Sequence, residues 1–444
     1  MKKVLVLGAG MVARPLVRYL LDRDFAITQG DIAVENAAAM IDGHPNGTAI
    51  TLDISNDDEL KKLISNHDLT VSLVPFQFHP LVARHCLDAG KPMVTASYVS
   101  DEMSAMHDEA VEKGVTLLNE IGVDPGIDHM SAMRVIDAVH AKGGSILSFR
   151  SYCGGLPAPE AMNNPFGYKF SWAPRGVMVA SRNGASYLQH GLHVEIEPEM
   201  LFRDMHILHV DNVGEFEAYP NRDSLSYIDI YGIGQEIRTM FRGTLRNMGW
   251  CDTLHNFRKF GLLSLQEIPG GATTYVEMIR ALSGCDENAD VAVAVADKLG
   301  LCPKCQPVNN MSWLGFFEDR PLGDAETPLD ALSVLMQERL AYADGERDML
   351  VMKHQFVAIY PDGHREQLVS QMVDYGISGG DSSMARTVSL PVAIAVRMIL
   401  EETITAKGVL RPITSDIYNP VLDELEELGI VCEEKIEIIE PGSV

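Results

Sequence analysis

The first chemical signal in the chain is a glycine-rich turn near the amino terminus with the spacing G-x-G-x-x-A. Gly8, Gly10 and Ala13 supply its small residues, directly after an apolar run and before a helical stretch. The first glycine permits a tight turn, the second leaves room for a pyrophosphate, and the small third residue lets helix and strand pack closely. Free N–H groups at the start of the following helix favour phosphate. The pattern predicts a dinucleotide site formed by Gly8, Ala9, Gly10, Met11 and Val12.

Two acidic residues at the ends of the next predicted strands bear on which dinucleotide binds. Asp31 stands about twenty residues after Gly8, where a carboxylate accepts hydrogen bonds from the ribose hydroxyls of NAD. A carboxylate there also repels the 2′-phosphate of NADP, and no arginine follows Asp31 before Arg84. We therefore expect NAD to be preferred, with NADP as the alternative. Asp53 has two interpretations, a contact to the adenine side of the cofactor or a helix cap.

A second group of polar side chains follows the last strands of the same predicted sheet. Ser97, Tyr98, Glu120 and Asp124 all lie at the carboxyl ends of strands, the edge where open α/β sheets bind their ligands. This placement predicts chemistry beside the nicotinamide. Two other interpretations stay open, because Asp124 also suits the cap of a helix that begins near Ile127 and Tyr98 also suits packing.

The cysteines indicate a reducing compartment and no metal. Seven cysteines are an odd number, scattered over a long chain, unlike the dense even framework of a small secreted domain. Cys302 and Cys305 form a lone CxxC pair, whereas a structural zinc needs two further ligands. Cys153 stands in a segment rich in glycine and proline and is either a site residue or a buried structural thiol.

The elements that must position these residues alternate in the first part of the chain. Residues 1 to about 124 alternate short apolar runs with helical stretches, which is the pattern of a parallel sheet covered by helices. We predict six parallel strands, at 4–10, 25–31, 49–54, 69–75, 92–98 and 115–121. Val74 and Pro75, at the end of the fourth strand, are expected to lie along the cofactor.

The composition and hydrophobic spacing of the sequence change several times in the rest of the chain. From about residue 145 a dense mixture of glycine, proline and aromatic residues predicts a mixed α/β domain, and beyond 243 helical spacing predicts a helical insertion. Residues 355–376 are two alternating runs joined by Asp362-Gly363, which predicts a hairpin. Residues 386–404 form an apolar helix expected to pack back on the first sheet.

Composition excludes several classes of partner. The 444 residues are 46% hydrophobic and 22% charged, as in folded globular proteins. Lys and Arg number 36 against 62 Asp and Glu, a formal net charge of −26, so nucleic acid and anionic membranes would be repelled. A small anionic ligand would need its own local cluster of Arg and Lys. The apolar run at residues 4–7 is too short for a signal peptide or a membrane span, and we expect a cytoplasmic protein.

Several longer segments together resemble one family. They are GAGMVARP, NEIGVDPGIDH, SYCGGLPAPE, NPFGYKFSWAPRG, YPNRDS, RGTLR and DYGISGGDSSMA, with GERDMLVMKHQF and PVAIA. They run along most of the chain and resemble the saccharopine reductases, which are glutamate-forming saccharopine dehydrogenases. The resemblance implies three domains: a Rossmann dinucleotide-binding domain, a mixed α/β substrate and dimerisation domain, and an inserted all-helical domain. Their expected bounds are 1–126 with 386–444, 127–242 with 343–385, and 243–342.

The resemblance also implies an activity. The family oxidises the secondary amine of saccharopine with a nicotinamide cofactor and releases L-glutamate and 2-aminoadipate 6-semialdehyde, reversibly, in lysine metabolism. A homodimer is expected. Fungal biosynthetic members use NADP and carry an arginine where this chain has Asp31, a departure that keeps our expectation on NAD. The alternatives are a carboxynorspermidine-type dehydrogenase and a non-catalytic NAD-binding sensor.

Site residues follow from the matching motifs. The cofactor site gains Val74, Pro75 and Val123, and the expected proton shuttle consists of Asp124, Tyr98 and Cys153. The saccharopine site is expected to consist of Ser97, Tyr98, Asp124, Arg222, Gly243, Thr244 and Leu245.

Saccharopine carries three carboxylates, which an arginine fork binds well. Arg222 is the expected clamp. Lys169, Arg175, Arg242 and Arg246 are secondary candidates, and the alternative for each is an exposed surface cation.

Overall fold

The computed structural model describes residues 1–172 and 174–439. The side chain of Arg175 and residues 440–444, which end the predicted 386–444 segment, lie outside this description. The described chain forms two compact units. The first contains Met1–Gly144, Tyr360–Gly363 and Ser370–Lys435, and the second contains Ser145–Ile359, His364–Val369 and the described residues from Ile436. The division into three domains stays a prediction.

The first unit opens with alternating strands and helices. The strands are β1 Lys3–Leu7, β2 Ala26–Asp31, β3 Gly47–Thr51, β4 Leu69–Ser72, β5 Met93–Val94 and β6 Thr116–Leu118. The helices are α1 Arg14–Leu21, α2 Val34–Ile41, α3 Asp57–Ser65, α4 His79–Ala89, α5 Asp101–Ser104, α6 His107–Glu112 and α7 Ile127–Ala141. These six strands are the six predicted, with shorter bounds.

The second unit follows with longer strands and a group of helices. Its strands are β7 Ser145–Pro157, β8 Ala185–Gln189, β9 Leu192–Ile196, β10 His206–Val210, β11 Gly214–Pro220, β12 Thr239–Arg246 and β13 Asp348–Ile359. Its helices are α8 Pro174–Ala180, α9 Ser226–Ile230, α10 Trp250–Phe260, α11 Tyr275–Ser283, α12 Val291–Leu299, α13 Gln306–Leu314 and α14 Pro328–Arg339. The last elements of the chain are β14 Arg365–Tyr375, α15 Ser383–Leu400, β15 Gly408–Leu410, α16 Ser415–Glu427 and β16 Glu433–Ile439.

The first sheet is parallel and has the order β15-β6-β5-β4-β1-β2-β3. Strand β4 is buried along its whole length, as expected where helices cover both faces of a parallel sheet. The order reverses between β1 and β4, and ligands bind at this switch point in doubly wound folds. The predicted Rossmann architecture is therefore confirmed, and β15 is a seventh strand that the sequence analysis did not include.

Helix α15 is the apolar helix expected to pack against the first sheet. It contacts α1, α16, β4 and β5, which confirms that expectation. It is long and apolar enough to cross a membrane, but 78% of its 18 residues are buried within the protein. Burial of this extent is typical of a core helix.

The second sheet has the order β10-β11-β12-β7-β13-β14-β16, and β8 pairs with both β12 and β9. Strands β13 and β14 are neighbours on either side of Asp362-Gly363, as the predicted hairpin requires. Helices α10 to α14 bury a common apolar core with the aromatic segment 166–170. This second unit is therefore the predicted mixed α/β fold with a helical part.

Candidate active site

The glycine-rich turn has the geometry of a phosphate-binding loop. Gly8 has φ +101°, and a Cβ atom there would lie 2.9 Å from the carbonyl oxygen of Leu73, so only glycine fits. A Cβ atom at Gly10 would meet nothing within 4 Å, which leaves open space above the turn. Helix α1 follows without a side-chain cap and without an acidic residue in its first turn. Its first N–H groups are therefore suited to a phosphate.

Asp31 serves this loop directly. Its carboxylate accepts hydrogen bonds from the N–H groups of Ala9, at 2.6 Å, and of Ala33, at 2.9 Å. Both carboxylate oxygens are thus engaged by the backbone of the chain. Our cofactor expectation assumed a carboxylate directed at the ribose, whereas here it ties the loop to the end of β2.

Other predicted cofactor residues surround the same sheet edge. Met11, a predicted cofactor residue, follows β1, and Phe76, which the sequence analysis did not predict, follows β4; their exposed fractions are 58% and 78%. Large apolar side chains so exposed offer flat surface for a ring system. Val74 and Pro75 directly precede Phe76, and Val123 is buried in the connection between β6 and α7.

Asp53 is exposed and accepts hydrogen bonds from the hydroxyl and N–H of Ser55, at 2.7 and 2.9 Å. These two hydrogen bonds lower the pKa of Asp53, and the bond from the Ser55 hydroxyl has the larger effect. Helix α3 has Asn56 at its N-cap position, so Asp53 is not the cap residue itself.

Tyr98 and Asp124 are brought together. The Tyr98 hydroxyl donates a hydrogen bond to a carboxylate oxygen of Asp124 at 3.2 Å. The Asp124-Pro125 peptide bond is cis, and Gly126 occupies the N-cap position of α7. The capping alternative for Asp124 therefore does not apply, because the carboxylate that bonds the Gly126 N–H belongs to Asp128.

Ser97 belongs to a buried relay that the sequence analysis missed. The His79 ring bonds the Ser72 hydroxyl through Nδ1, at 2.8 Å, and the Ser97 hydroxyl through Nε2, at 2.7 Å. Burial lowers the pKa of His79 to about 4, so the ring is neutral near pH 7 and fixes the orientation of Ser97. The available signal was the polar residue Ser72 at the end of β4, seven residues before His79.

Glu120 anchors the loop that carries Asp124. One carboxylate oxygen accepts from the Val99 N–H and the Arg411 guanidinium, at 2.9 and 2.8 Å, and the other bonds His129 Nε2 at 2.9 Å. Burial opposes ionisation, yet the hydrogen bond and charge of His129, with Arg411 and Val99, hold the Glu120 pKa below its usual value. Glu120 has φ +55°, a strained conformation that these contacts maintain.

The predicted substrate residues of the second unit lie on adjacent strands. In the ladder, Thr244 of β12 pairs with Tyr219 of β11 on one side and with Cys153 of β7 on the other. Gly243 is one residue earlier, and a Cβ atom there would lie 2.6 Å from the Phe241 ring. Leu245 is fully buried. The structure therefore places Cys153 beside Thr244.

Arg222 occupies the turn after β11. Its φ is +55°, in the left-handed region that non-glycine residues seldom adopt, and its side chain is exposed. The carbonyl oxygen of Arg222 accepts the Ser186 N–H at 2.9 Å. The turn thus holds an exposed arginine in a fixed backbone conformation.

Three of the four secondary cations are not surface cations. Lys169, Arg242 and Arg246 are only 4%, 4% and 5% exposed, so the alternative of an exposed surface cation is wrong for these three. Lys169 is hydrogen-bonded to the Glu346 carboxylate. The Arg242 guanidinium lies 4.2 Å from the centroid of the Tyr227 ring. Sequence spacing gave no sign of this burial, because arginine is mostly exposed.

The CxxC pair has no metal partners in the described part of the chain. Cys302 and Cys305 are free thiols, and no group of three or more His, Cys, Asp or Glu residues suited to a metal occurs among the described residues.

Similarity to known proteins runs from end to end. Residues 4–118 match the family described as "Saccharopine dehydrogenase NADP binding domain", and residues 122–430 match "Saccharopine dehydrogenase C-terminal domain". Saccharopine dehydrogenase (NADP(+), L-glutamate-forming) of Schizosaccharomyces pombe is 38% identical over 98% of this chain and 99% of that protein. The mitochondrial alpha-aminoadipic semialdehyde synthase of Bos taurus is 38% identical over 97% of this chain and 47% of its own length.

These matches overturn the expected cofactor preference. The matching amino-terminal family is an NADP-binding domain, and the fungal relatives are NADP(+) enzymes by name. The expectation that NAD is preferred is therefore wrong. The physical reason lies in the Asp31 carboxylate, whose charge is partly offset by the Ala9 and Ala33 N–H groups that hold it against the loop, so the residue type alone was a poor guide to the 2′-position.

A solved structure shows that the similarity extends to the fold of nearly the whole chain. The apo saccharopine dehydrogenase (L-Glu forming) of Saccharomyces cerevisiae matches with a TM-score of 0.90 and 37% identity, over 98% of this chain and 100% of that one. The chain belongs to the saccharopine dehydrogenase family.

Proposed function

We propose that this protein is an NADP-dependent saccharopine dehydrogenase that forms L-glutamate. Saccharopine, NADP⁺ and water give L-glutamate, 2-aminoadipate 6-semialdehyde, NADPH and a proton. The observation that carries the proposal is the end-to-end similarity to L-glutamate-forming enzymes, together with a phosphate-binding turn that leaves open space at Gly10.

The first unit would hold the cofactor. The backbone of Gly8–Val12 and the first N–H groups of α1 would bind the pyrophosphate, while Val74, Pro75 and Val123 would contact the rings. When bound, NADP⁺ accepts a hydride from the carbon next to the secondary nitrogen of saccharopine. The remaining tasks fall to side chains of the protein.

Proton movement is assigned to Tyr98 and Asp124, with Cys153 as a further candidate. The 3.2 Å hydrogen bond between the Tyr98 hydroxyl and the Asp124 carboxylate supports this pairing, since such a pair can pass a proton to or from the departing nitrogen. Ser97, fixed by His79, would orient the substrate. Precise orientation alone lowers the barrier substantially.

Substrate recognition is assigned to Arg222, Gly243, Thr244 and Leu245. Arg222 offers an exposed fork on a strained turn, which suits bidentate binding of a carboxylate. Gly243 and Thr244 lie in a paired strand and would form a rigid surface against the substrate. The Phe241 ring leaves no room for a side chain at Gly243.

The test is turnover by the purified protein. With saccharopine and NADP⁺, absorbance of reduced nicotinamide should rise, with a higher kcat/KM than with NAD⁺ or with carboxynorspermidine as substrate. Arg222→Ala should raise the saccharopine KM by at least about thirtyfold and leave the cofactor KM unchanged, because a charge-assisted pair is lost. Lack of saccharopine-dependent reduction with either cofactor would contradict the proposal.

We also propose a cytoplasmic homodimer. The dimer is supported by the resemblance on which the substrate and dimerisation domain was predicted, and the compartment by the seven scattered cysteines, an odd number. Light scattering coupled to gel filtration should give twice the mass of the 48.8 kDa chain, and a monomer at micromolar concentration would contradict the dimer.

A further inference from the structure

Three of the buried cations in the second unit, Lys169, Arg242 and Arg246, differ in how their charge is compensated. Lys169 has the Glu346 carboxylate, and the Arg242 guanidinium lies against the Tyr227 ring. Arg246 is 5% exposed, and no carboxylate among the described residues forms an ion pair with it. A buried cation without a counter-ion is costly to maintain.

Arg246 is surrounded by aromatic side chains, and two N–H groups in this cluster lack a hydrogen-bond acceptor. Its guanidinium lies 4.9 Å from the Tyr168 ring centroid and 5.4 Å from that of Trp250. Nη1 donates to the carbonyl oxygen of Leu245 at 2.7 Å. Arg246 Nε and Trp250 Nε1 are both buried N–H groups without an acceptor in the described structure. Two N–H donors in this cluster thus lack acceptors, and the positive charge faces two aromatic rings but no carboxylate among the described residues.

The carboxylate of Glu217, on the neighbouring strand, already has other hydrogen-bond partners. Glu217 pairs with Arg246 in the β11–β12 ladder, but its two oxygens accept the N–H groups of Gly249 and Cys251, at 2.8 and 2.7 Å. Glu217 therefore caps the start of α10, where a carboxylate is favourable. It does not neutralise Arg246 by direct contact.

Arg246 also adjoins the expected substrate residues. Side chains two residues apart on a strand share a face, so Arg246 lies next to Thr244, which pairs with Cys153 and Tyr219. Burial raises the pKa of Tyr219 to about 12, and the positive charge of Arg246 opposes that rise. The guanidinium therefore acts electrostatically on Tyr219.

We infer that Arg246 is a substrate-binding residue whose missing counter-ion is a carboxylate of saccharopine, bound beside Thr244 and Cys153. The inference rests on the proposed function and adds a buried arginine to the exposed Arg222. A substrate with three carboxylates can use both. Glutamate, which retains two of these groups as product, should use the same contact.

The test compares Arg246→Lys and Arg246→Met with a matched control, Arg258→Met. Arg258 also has a buried Nε without an acceptor, but its guanidinium pairs with Glu199 at 3.6 Å. Kinetics should be measured for saccharopine and NADP⁺, and calorimetry should measure glutamate binding to the NADP⁺ complex.

Arg246→Met should raise the saccharopine KM and the glutamate Kd by at least about thirtyfold, with the NADP⁺ KM changed less than about threefold. Arg246→Lys should lie between Met and the parent, because a point charge replaces a fork. Arg258→Met should match the parent.

Unchanged saccharopine KM and glutamate Kd in Arg246→Lys, and in Arg246→Met where it folds, would overturn the inference. Inactivity of the parent protein on saccharopine would instead contradict the proposed function, so the two failures are distinguishable.

Discussion

Two side chains that adjoin in space, Tyr98 and Asp124, are expected to act as a pair. Replacing either member of a hydrogen-bonded pair removes the shared contact, so the losses should not add. For Tyr98→Phe, Asp124→Asn and the double variant, kcat/KM should show a coupling energy of about 1 kcal/mol. As a control, Tyr187→Phe removes a 2.9 Å bond to Asp204 in the second unit and should combine additively with Tyr98→Phe. Additive effects of Tyr98→Phe and Asp124→Asn would separate the two residues functionally.

His79 gives a prediction about pH. Its folded pKa of about 4 is below the usual 6.5 because the ring is buried, so its contribution to stability is present above pH 6.5 and is lost as pH falls towards 4. Between pH 7 and pH 5 the parent should lose about 2 kcal/mol more unfolding free energy than His79→Gln, which cannot titrate. Urea unfolding at the two pH values measures this. Equal losses in both proteins would mean that His79 titrates normally in the folded state.

At the scale of elements, the two glycines of the turn between β1 and α1 have different roles. Gly8 is needed for the fold, and we expect Gly10 to be needed for binding the cofactor. Gly8→Ala forces a Cβ atom to within 2.9 Å of the Leu73 oxygen at φ +101°, and should destabilise the protein by about 1 to 3 kcal/mol. Gly10→Ala enters open space and should leave the stability within about 0.5 kcal/mol. The same change should raise the NADP⁺ KM at least about tenfold by occupying the pyrophosphate position. Thermal unfolding and cofactor kinetics of both variants test the assignment, which an unchanged cofactor KM in Gly10→Ala would contradict.

The elements also show how far sequence patterns reach. The six strands of the first sheet were predictable because each is an apolar run followed by turn residues. Strand β15 was not, since Gly408–Leu410 is three residues long and pairs with β6 across most of the chain. Placement of Cys153 beside Thr244 likewise depends on a ladder between distant strands, which no local pattern encodes.

Burial of polar groups was the main failure at the level of the site. His79, Lys169, Arg242 and Arg246 are polar residue types that are usually exposed, yet all are buried here. Their burial depends on tertiary packing, which a single sequence does not show. The cofactor preference inferred from Asp31 was wrong for a related reason. The hydrogen bonds that its carboxylate accepts from the Ala9 and Ala33 backbone form only when the loop is folded.

The molecule as a whole carries 26 more acidic than basic formal charges, while its proposed substrate is a small polyanion. Recognition must therefore depend on local cations that act against the overall field. Arg222 and Arg246 in the second unit have this role in our account. The same negative net charge is the reason that the sequence predicts no nucleic-acid partner.

The most direct test of the central claim is the identity of the products. Purified protein should be incubated with saccharopine and NADP⁺, and the products quantified by mass spectrometry against NADPH formed. We predict one L-glutamate and one 2-aminoadipate 6-semialdehyde for each NADPH, because the hydride leaves the lysine-side carbon. Formation of lysine and 2-oxoglutarate, or NADPH without glutamate, would contradict the account.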